Sequence, residues 1–434
     1  MSWVYRATRQ SLAAQLESGV VFVCLKTTQT YEGPSVSTSN HYGFALPEEL
    51  ILMRDQVRRF MREEVKPIED KLPHDATGCA PEDRQRLRAI AEEMGLTRLN
   101  VPEEHGGNSV SALARVIIAE ESAKCRLGGY APALGAFGGG PPNIIWGGTD
   151  SQIERYGIPC LEGKKSAFVA ITEPTGGSDP RNNIQTRAEK HGDVWKLNGR
   201  KMWITGAEWA DFGVIFARTD DGGEGKPPGI TAFIVENDFK GVRFNEIGVI
   251  RALSPFEIVL EDCEVPEANV LGRVGGGFNV AQTWLVDARI PYAAGCIGMA
   301  QEALDMACGW VKQRPTRDGM LEDKQAIQWM IADSEVELRA ARLLVYDAAT
   351  KVDAGEPAKV DASVCKLYGT ETAGRVVDRA IQMFGGMGVA KEMPLERWYR
   401  ELRVKRIGEG PSEVHRMVIA RDKLRNTDGG MYFG

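Results

Sequence analysis

One acidic residue near the carboxyl end of the chain stands between two glycines, in the stretch Gly408-Glu409-Gly410. A basic segment with helical periodicity precedes it, and a short amphipathic segment follows it. Glycine lets the backbone approach a ligand closely, and a carboxylate held beside apolar groups has a raised pKa, which suits a base acting near neutral pH. Glu409 is therefore a candidate general base, although the stretch alone is more typical of a helix break with a surface glutamate.

Three further segments contain residues that suit a polar or planar ligand. The loop at residues 172–179 is rich in hydroxyls and glycine, so it can face a polar ligand, with a plain surface turn as the alternative. Trp203 and Thr205 share one face of a predicted strand, which suits stacking on a planar ring; a core tryptophan is the alternative. Gln382 precedes three glycines that form either a helix cap or a close approach to a ligand.

The periodicity of the apolar residues predicts three structural regions. Helices are predicted at residues 47–68, 81–94, 110–125 and 151–156. Strands are predicted at residues 168–171, 194–197, 201–205, 212–218, 230–235 and 256–260. Turn signals at His191-Gly192-Asp193 and Asn198-Gly199 predict hairpins. Long helices return at residues 278–314, 323–352, 361–384 and 394–407.

The predicted fold is therefore a multidomain protein with α and β regions. We expect an N-terminal extension at residues 1–44 and an N-terminal all-helical domain at residues 45–165. A middle antiparallel β domain at residues 166–276 is expected to be a β-barrel, with a sandwich as the alternative. A C-terminal four-helix bundle follows at residues 277–434. No βαβ repeat or Rossmann fingerprint is present, so a flavin or nucleotide would be bound in another way.

Composition excludes several classes of function. The chain has 434 residues, of which 43% are hydrophobic and 26% charged, as in ordinary globular proteins. Its formal net charge is −7 and it has no large basic block, so nucleic acid is not an expected partner. No apolar run reaches the length of a membrane span, so we expect no membrane association. The eight cysteines are scattered without a CxxC pair, which favours free thiols in a reducing compartment and no metal site.

Five motifs in chain order resemble those of the acyl-CoA dehydrogenase family. They are TEPTGGSD at 172–179, KMWITG at 201–206, CEVP at 263–266, QMFGGMG at 382–388 and EGPSE at 409–413. The resemblance extends from about Leu46 to about Arg425. It implies FAD as cofactor and α,β-dehydrogenation of an acyl-CoA thioester to a 2-enoyl-CoA, with Glu409 abstracting the α-proton and hydride passing to flavin N5.

The resemblance also implies roles for individual residues. Thr172 corresponds to a contact with the flavin pyrimidine edge, and Trp203 with Thr205 to groups beside the flavin ring. The implied cofactor-binding set is Thr172, Ser178, Trp203, Thr205, Arg314, Thr316, Gln325, Gln382, Gly385, Gly386, Pro411 and Glu413. The implied substrate-binding set is Ser178, Arg289 and Gly410. The family's contacts made by the residues from Arg314 to Gly386 cross a subunit interface, so a homodimer or homotetramer is expected.

The chain departs from the family pattern at several positions. Arg317-Asp318 stands where Phe-Gly is usual, Val169 where many members have an aromatic residue, and Pro411 where threonine is common. The departures at Arg317-Asp318 and Pro411 affect the expected contacts with FAD.

Two further departures lie beside the expected base. Gly408 replaces a tyrosine of many straight-chain enzymes, which predicts room for a bulky, branched or ring-bearing acyl group. Ala288 occupies the alternative position of the base and cannot act as one, so Glu409 is the matched candidate.

Other functions on the same scaffold remain open from the sequence. They include an acyl-CoA oxidase, a desulfinase, a nitroalkane oxidase, a flavin monooxygenase and a non-catalytic binding protein. For a dehydrogenase of fatty acid metabolism, electron-transfer flavoprotein is the expected electron acceptor. The expected location is the bacterial cytoplasm, with the mitochondrial matrix as the alternative. His105 and His415 are expected to have packing or capping roles.

Overall fold

The structure is a computed structural model that describes residues 45–108, 110–138, 140–223 and 227–427. The predicted extension at residues 1–44 lies outside the described residues. Cys24 lies there as well; the other seven cysteines form no disulfide with one another, and six of them are buried. No helix in the described part of the chain combines the length and the apolarity that a membrane crossing requires.

The first part of the described chain is helical, as the periodicity predicts. Helix α1, Glu48–Phe60, begins after Pro47 and continues through a π-helical turn. Helix α2 is Pro81–Glu93, with proline at its first position, where the missing N–H costs nothing. Helix α3 is Ala112–Ser122, and Ser111 caps it by accepting a hydrogen bond from the Ala114 amide. The remaining segments of this part are short and are given by range: Met61–Val65, Lys66–Glu69, Asp150–Gln152, Ile153–Gly157 and Ile158–Leu161.

The middle of the chain forms one sheet of eight strands. The strands are β1 Ala167–Ala170, β2 Arg187–His191, β3 Val194–Thr205, β4 Phe212–Asp220, β5 Gly229–Glu236, β6 Val242–Glu246, β7 Pro255–Pro266 and β8 Val270–Leu271. Their order is β6-β7-β3-β2-β4-β5-β8, and β1 lies beside β4. Strands β1 and β2 pair with β4 in parallel, whereas the other pairs are antiparallel.

The β domain is confirmed, but the predicted closed barrel is wrong for the described residues. The sheet ends at β6 and β8, which do not pair with each other. In β5, consecutive residues face different hydrophobic clusters: Phe233 packs in one and Ile234 in the other, and both are fully buried. Because a strand alternates its side chains, the sheet is covered on both faces and needs no closure to bury them.

The hairpin predicted at Asn198-Gly199 is also wrong. Strand β3 runs through both residues, and the turn predicted around Gly192 joins β2 to β3 instead, with His191 paired to Val194. A Cβ on Gly199 would lie 2.5 Å from Thr186 Oγ1. Glycine at this position therefore permits a close approach between strands.

The last part of the chain forms the predicted helical bundle. Its helices are α4 Gly277–Gln313, α5 Gln325–Asp353, α6 Lys359–Phe384, α7 Leu395–Lys405 and α8 Ser412–Arg425, with a small hairpin, β9 Pro315–Thr316 and β10 Gly319–Met320, after α4. One core cluster joins α4, α5, α6, α7 and the earlier α3. In it, Trp398 of α7 is fully buried and donates from Nε1 to the Cys125 carbonyl at 3.0 Å.

Candidate functional site

The candidate base lies in the short loop between α7 and α8. Glu409 has a φ of 58°, and Gly410 has a φ of 95°. The left-handed region costs a residue with a side chain about 1 to 2 kcal/mol, so it persists only where neighbours hold it. Glycine at position 410 meets the requirement without that cost. The strain at Glu409 indicates that the loop is fixed by the surrounding helices.

Three helices provide the groups that hold this loop. From α4, Arg289 Nε donates to the Glu409 carbonyl at 3.1 Å. From α8, His415 Nε2 lies 3.3 Å from the same carbonyl. From α6, Lys366 Nζ donates to the Gly410 carbonyl at 2.6 Å and to the Arg406 carbonyl at 3.2 Å. The backbone on both sides of the carboxylate is therefore tied to the bundle.

Burial and nearby positive charges have opposite effects on the pKa of the Glu409 carboxyl. Its Oε2 atom is buried and accepts no hydrogen bond from the described residues. Burial raises the pKa of Glu409, while the charges of Arg289, Lys405 and Lys366 oppose that rise. A carboxylate with a raised pKa and a free oxygen can accept a proton from a ligand.

Two of the side chains that hold the loop, His415 and Lys366, have lowered pKa values. Burial, together with Arg289 and Lys366, lowers the pKa of His415 to about 4, so this ring is neutral at pH 7. A neutral ring that donates to the Glu409 carbonyl holds its proton on Nε2. Burial lowers the pKa of Lys366 to about 8. His415 was expected only to pack or cap, but it lies against the base loop; His105 stacks on Trp146 at 5.0 Å, as a packing residue does.

The space beside Gly408 is bordered by a phenol. A Cβ on Gly408 would lie 3.1 Å from Tyr292 Oη. Tyr292 belongs to α4, and Lys405 Nζ lies 4.0 Å from the centroid of its ring. The volume that a larger residue 408 would fill is thus limited by Tyr292.

Trp203 and Thr205 form an open polar and aromatic surface on β3. The pairing of β3 with β7 is irregular between Lys201 and Ile204, and Trp203 has a φ of 66°. Its side chain is 54% exposed, and Thr205 is exposed beside it. The Met202 amide donates to the Thr172 carbonyl at 2.9 Å, so the loop after β1 adjoins this surface. The alternative of a core tryptophan is wrong for Trp203.

A buried ion pair that the sequence reading missed anchors the same loop. Lys201 Nζ donates to Glu173 Oε1 at 2.6 Å and to the Ile171 carbonyl at 3.2 Å. Burial lowers the pKa of Lys201 to about 8. Burial alone would raise the pKa of Glu173, but Lys201 and the amides of Gln185 and Thr186 outweigh it and lower that pKa. Both residues lie inside the quoted motifs, Glu173 in TEPTGGSD and Lys201 in KMWITG, but neither motif shows that the two side chains pair.

A second group of expected cofactor residues lies at one end of the bundle. Trp310 stacks on Phe384 at 5.0 Å, and the Arg314 guanidinium lies 5.9 Å from the Trp310 ring centroid. This places Arg314 near Gly385 and the end of α6. Gly385 and Gly386 are exposed, and a Cβ on either would meet nothing within 4 Å.

The other predicted residues are distributed as follows. Thr316 donates to the Gly319 carbonyl within the β9–β10 hairpin, and Gln325 is the first residue of α5. Gln382 is exposed near the end of α6, and Ser178 is exposed on the loop after β1. Pro411 and Glu413 flank Ser412 at the start of α8.

The site residues outside the β3 surface therefore form two groups. Arg289 and Gly410 lie against Glu409, whereas Arg314 and Gln382 lie at the bundle end. No hydrogen bond, ion pair or ring contact joins the two groups within the described residues.

The residues of the β3 surface and those of the bundle end fit FAD. An exposed indole and a hydroxyl suit a planar ring with polar edges. An arginine, an amide and uncovered glycine backbone suit phosphate and adenylate groups. When bound, the flavin would contact Trp203 and Thr205, and the nucleotide end of an FAD molecule would contact Arg314, Gln382 and the glycines.

Family models for acyl-CoA dehydrogenases match three consecutive parts of the chain. The model described as "Acyl-CoA dehydrogenase, N-terminal domain" matches residues 47–164. The middle-domain model matches residues 168–263, and the C-terminal-domain model matches residues 275–424.

Known proteins resemble the chain over most of its length. A 3-(aryl)acrylate reductase of Clostridium sporogenes is 38% identical over 380 residues, which cover 86% of this chain and 98% of that protein. The CarC subunit of a caffeyl-CoA reductase-Etf complex of Acetobacterium woodii is 39% identical, covering 76% of this chain and 86% of that subunit. The solved structure of butyryl-CoA dehydrogenase from Megasphaera elsdenii is similar with a TM-score of 0.77 and 32% sequence identity. The match covers 88% of this chain and 100% of that one.

These matches agree with the motifs and with the order of helices, sheet and helical bundle. Acyl-CoA dehydrogenases are FAD-dependent flavoproteins, and the β3 surface and the bundle end suit that cofactor. The chain belongs to the acyl-CoA dehydrogenase family and is an FAD-dependent oxidoreductase.

Proposed function

We propose that the chain catalyses the α,β-dehydrogenation of an acyl-CoA thioester, with Glu409 as the base that removes the α-proton. The observation that supports this most directly is the buried Oε2 atom of Glu409, which has no partner in the described chain, on a loop held by three helices. A carboxylate kept without a partner at such a conformational cost is best explained by a partner on the ligand.

The backbone of the same loop supports the proposed reaction. An α C–H is a poor acid, so the thioester oxygen must be stabilised as negative charge develops on it. The N–H of Glu409 makes no hydrogen bond to any residue that the structure describes, so it can donate to that oxygen. A bound FAD would supply the acceptor for the β-hydrogen, which leaves as hydride. Trp203 and Thr205 would hold the flavin ring, and the Glu409 carboxylate would hold the abstracted proton.

For the substrate, we propose a bulky, branched or ring-bearing acyl group. Gly408 places no side chain beside the base, and the phenolic oxygen of Tyr292 limits the space there, since it lies 3.1 Å from where a Cβ on Gly408 would be. Two similar proteins have names that refer to aryl acrylate and caffeyl-CoA, whereas a third is a butyryl-CoA dehydrogenase. The same residues serve the reverse reaction, reduction of an enoyl-CoA, because Glu409 then returns the proton.

We propose electron-transfer flavoprotein as the redox partner and a homodimer or homotetramer as the assembly. One similar subunit belongs to a complex with Etf. On α5, three exposed apolar residues recur every seven residues, Trp329, Val336 and Leu343, with exposed fractions of 60%, 67% and 41%. Such a stripe suits association with a second copy. The proposed location remains the bacterial cytoplasm, with the mitochondrial matrix as the alternative.

Anaerobic titration with a panel of acyl-CoAs, followed by the visible flavin band, tests the proposed reaction. We expect one branched or ring-bearing thioester to bleach the flavin and an enoyl-CoA to restore it. Glu409→Gln should abolish the bleaching, and Glu356→Gln, at an exposed position of the α5–α6 connection, should retain it. A flavin that no acyl-CoA bleaches would refute the proposal, and rapid reoxidation by oxygen would identify an oxidase.

A further inference from the structure

One cation beside the base forms neither a hydrogen bond nor an ion pair within the described residues. Arg251 pairs with Glu401 at 3.0 Å, Arg289 donates to the Glu409 carbonyl, and Lys366 donates to two carbonyls. Lys405 Nζ makes a single contact with the described chain, with the Tyr292 ring at 4.0 Å, and forms no hydrogen bond or ion pair with these residues. The Lys405 side chain is only partly buried, so its ammonium still reaches water in the free protein. An acyl group that fills this space would remove that water, and an ammonium that loses water without gaining a partner is costly, so the bound ligand should carry an acceptor.

The phenol of Tyr292 is a second donor in the same place. Burial raises its pKa well above the ordinary value, so the phenol keeps its proton. Its only hydrogen bond to the described residues goes to the Lys405 carbonyl at 3.5 Å, which is too long to satisfy it. Its oxygen adjoins Gly408, the residue before the base. An ammonium and a hydroxyl thus lie together at the edge of the space proposed for the acyl group.

We propose that Lys405 and Tyr292 are specificity-determining residues that bind an acceptor oxygen on the distal end of the acyl group. This inference rests on the proposed dehydrogenation and specifies its substrate class: an acyl-CoA whose chain or ring ends in a hydroxyl, carbonyl or carboxylate oxygen. A purely apolar acyl end would leave both donors unpaired and desolvated. Sites built to hydrogen-bond a ligand discriminate strongly against analogues that lack the polar group.

Matched pairs of substrates test this inference. One pair is 3-(4-hydroxyphenyl)propionyl-CoA and 3-phenylpropionyl-CoA; the other is glutaryl-CoA and pentanoyl-CoA. For the wild-type holoenzyme we expect kcat/KM to favour one oxygen-bearing member by about tenfold or more, as hydrogen bonds to charged groups do. Lys405→Met should remove that preference, because the loss of its charge beside Glu409 affects both members alike, whereas only the oxygen-bearing member loses its partner. Arg403→Met, which removes an exposed cation two residues away on α7, should retain it.

Equilibrium binding separates selectivity from turnover. In a Glu409→Gln background, the perturbation of the flavin spectrum gives a dissociation constant for each member without reaction, and Lys405→Met should again equalise the pair. Tyr292→Phe should reduce the preference, and it is the second test if Lys405→Met fails to bind FAD. The pair that responds shows whether the acceptor is a ring hydroxyl or a carboxylate.

Equal binding within both pairs in the wild type, or a preference that survives in both variants, would overturn the inference. If the wild-type protein binds the oxygen-bearing member more tightly but no acyl-CoA bleaches its flavin, the proposed dehydrogenation is refuted and the inference about binding selectivity stands.

Discussion

Replacing Lys366 by methionine should separate the activity of this protein from its stability. The side chain is fully buried in α6, and its Nζ ties the Gly410 and Arg406 carbonyls on either side of Glu409. Methionine is similar in length but donates no hydrogen bond. The variant therefore releases the base loop without opening a large cavity.

Two opposing magnitudes decide the effect on stability. Each hydrogen bond from the ammonium contributes about 1.5 to 3 kcal/mol, and the Arg406 carbonyl keeps a second partner, the Ser412 amide at 3.2 Å. Against this loss, burial lowers the pKa of Lys366 to about 8 from an ordinary value of 10.5. That shift corresponds to about 3 kcal/mol of unfavourable charge burial. The two effects largely cancel, so the free energy of unfolding at pH 7 should fall by no more than about 3 kcal/mol.

The effect on catalysis has no such compensation. Glu409 is held with a φ of 58°, and a backbone released from Lys366 gains about 1 to 2 kcal/mol by leaving that region. A base displaced by about 1 Å loses about 100-fold in rate. We expect kcat to fall by about 10- to 100-fold, with a smaller change in KM.

The pH profile provides a readout that a purely structural role would not change. The charge of Lys366 lowers the pKa of Glu409, so its removal raises that pKa. Because the reaction needs ionised Glu409, the acidic limb of kcat/KM should move to higher pH.

The assay compares Lys366→Met with Lys359→Met, an exposed position at the start of the same helix. Flavin reduction in single turnovers gives the rate, and urea unfolding of the holoenzyme gives the stability. A kcat within about threefold of wild type, with an unshifted acidic limb, would refute the positioning role assigned to Lys366.

Three further perturbations test other parts of the structure. Trp203→Ala should lower the flavin retained on gel filtration with little change in stability, whereas Trp209→Ala, at a similarly exposed tryptophan, should retain it. Glu173→Gln leaves the buried Lys201 without its carboxylate and should lower the free energy of unfolding by about 3 to 5 kcal/mol in urea titrations; an unchanged midpoint would contradict this. Val336→Lys should reduce the molar mass measured by light scattering, and an unchanged mass would exclude this face of α5 from the interface.

The periodic parts of the chain were predictable, and the contacts between them were not. Helical spacing located α4 to α7, and the turn at Gly192 was correctly assigned from sequence. Strand pairing was not, because nothing local shows that β4 pairs in parallel with β1, or that the sheet stays open between β6 and β8. Gly199 illustrates the ambiguity, since glycine serves both turns and close strand contacts. The domain boundaries remain predictions.

In the candidate site, too, residues within motifs were predictable from the sequence, whereas residues that reach the site through packing were not. Glu409 and Trp203 were found because they lie in recognisable motifs, and Arg289 because the family resemblance implied a role for its position. Lys366 lies more than 40 residues before the loop that it holds, and its helix has no motif at that position. Tyr292 was missed for the same reason, because its proximity to Gly408 depends on how α4 packs beside the loop.

The opposing effects of burial and of the nearby cations on the pKa of Glu409 should both change when a substrate occupies the site. The acyl group displaces water, which raises the pKa of the carboxyl through burial. The same loss of water strengthens its attraction to Arg289, Lys366 and Lys405, because charges interact more strongly at lower dielectric. The cations therefore matter more in the complex than in the free enzyme. The acidic limb of kcat, which reports the complex, should consequently shift further in Lys366→Met than that of kcat/KM, which reports the free enzyme.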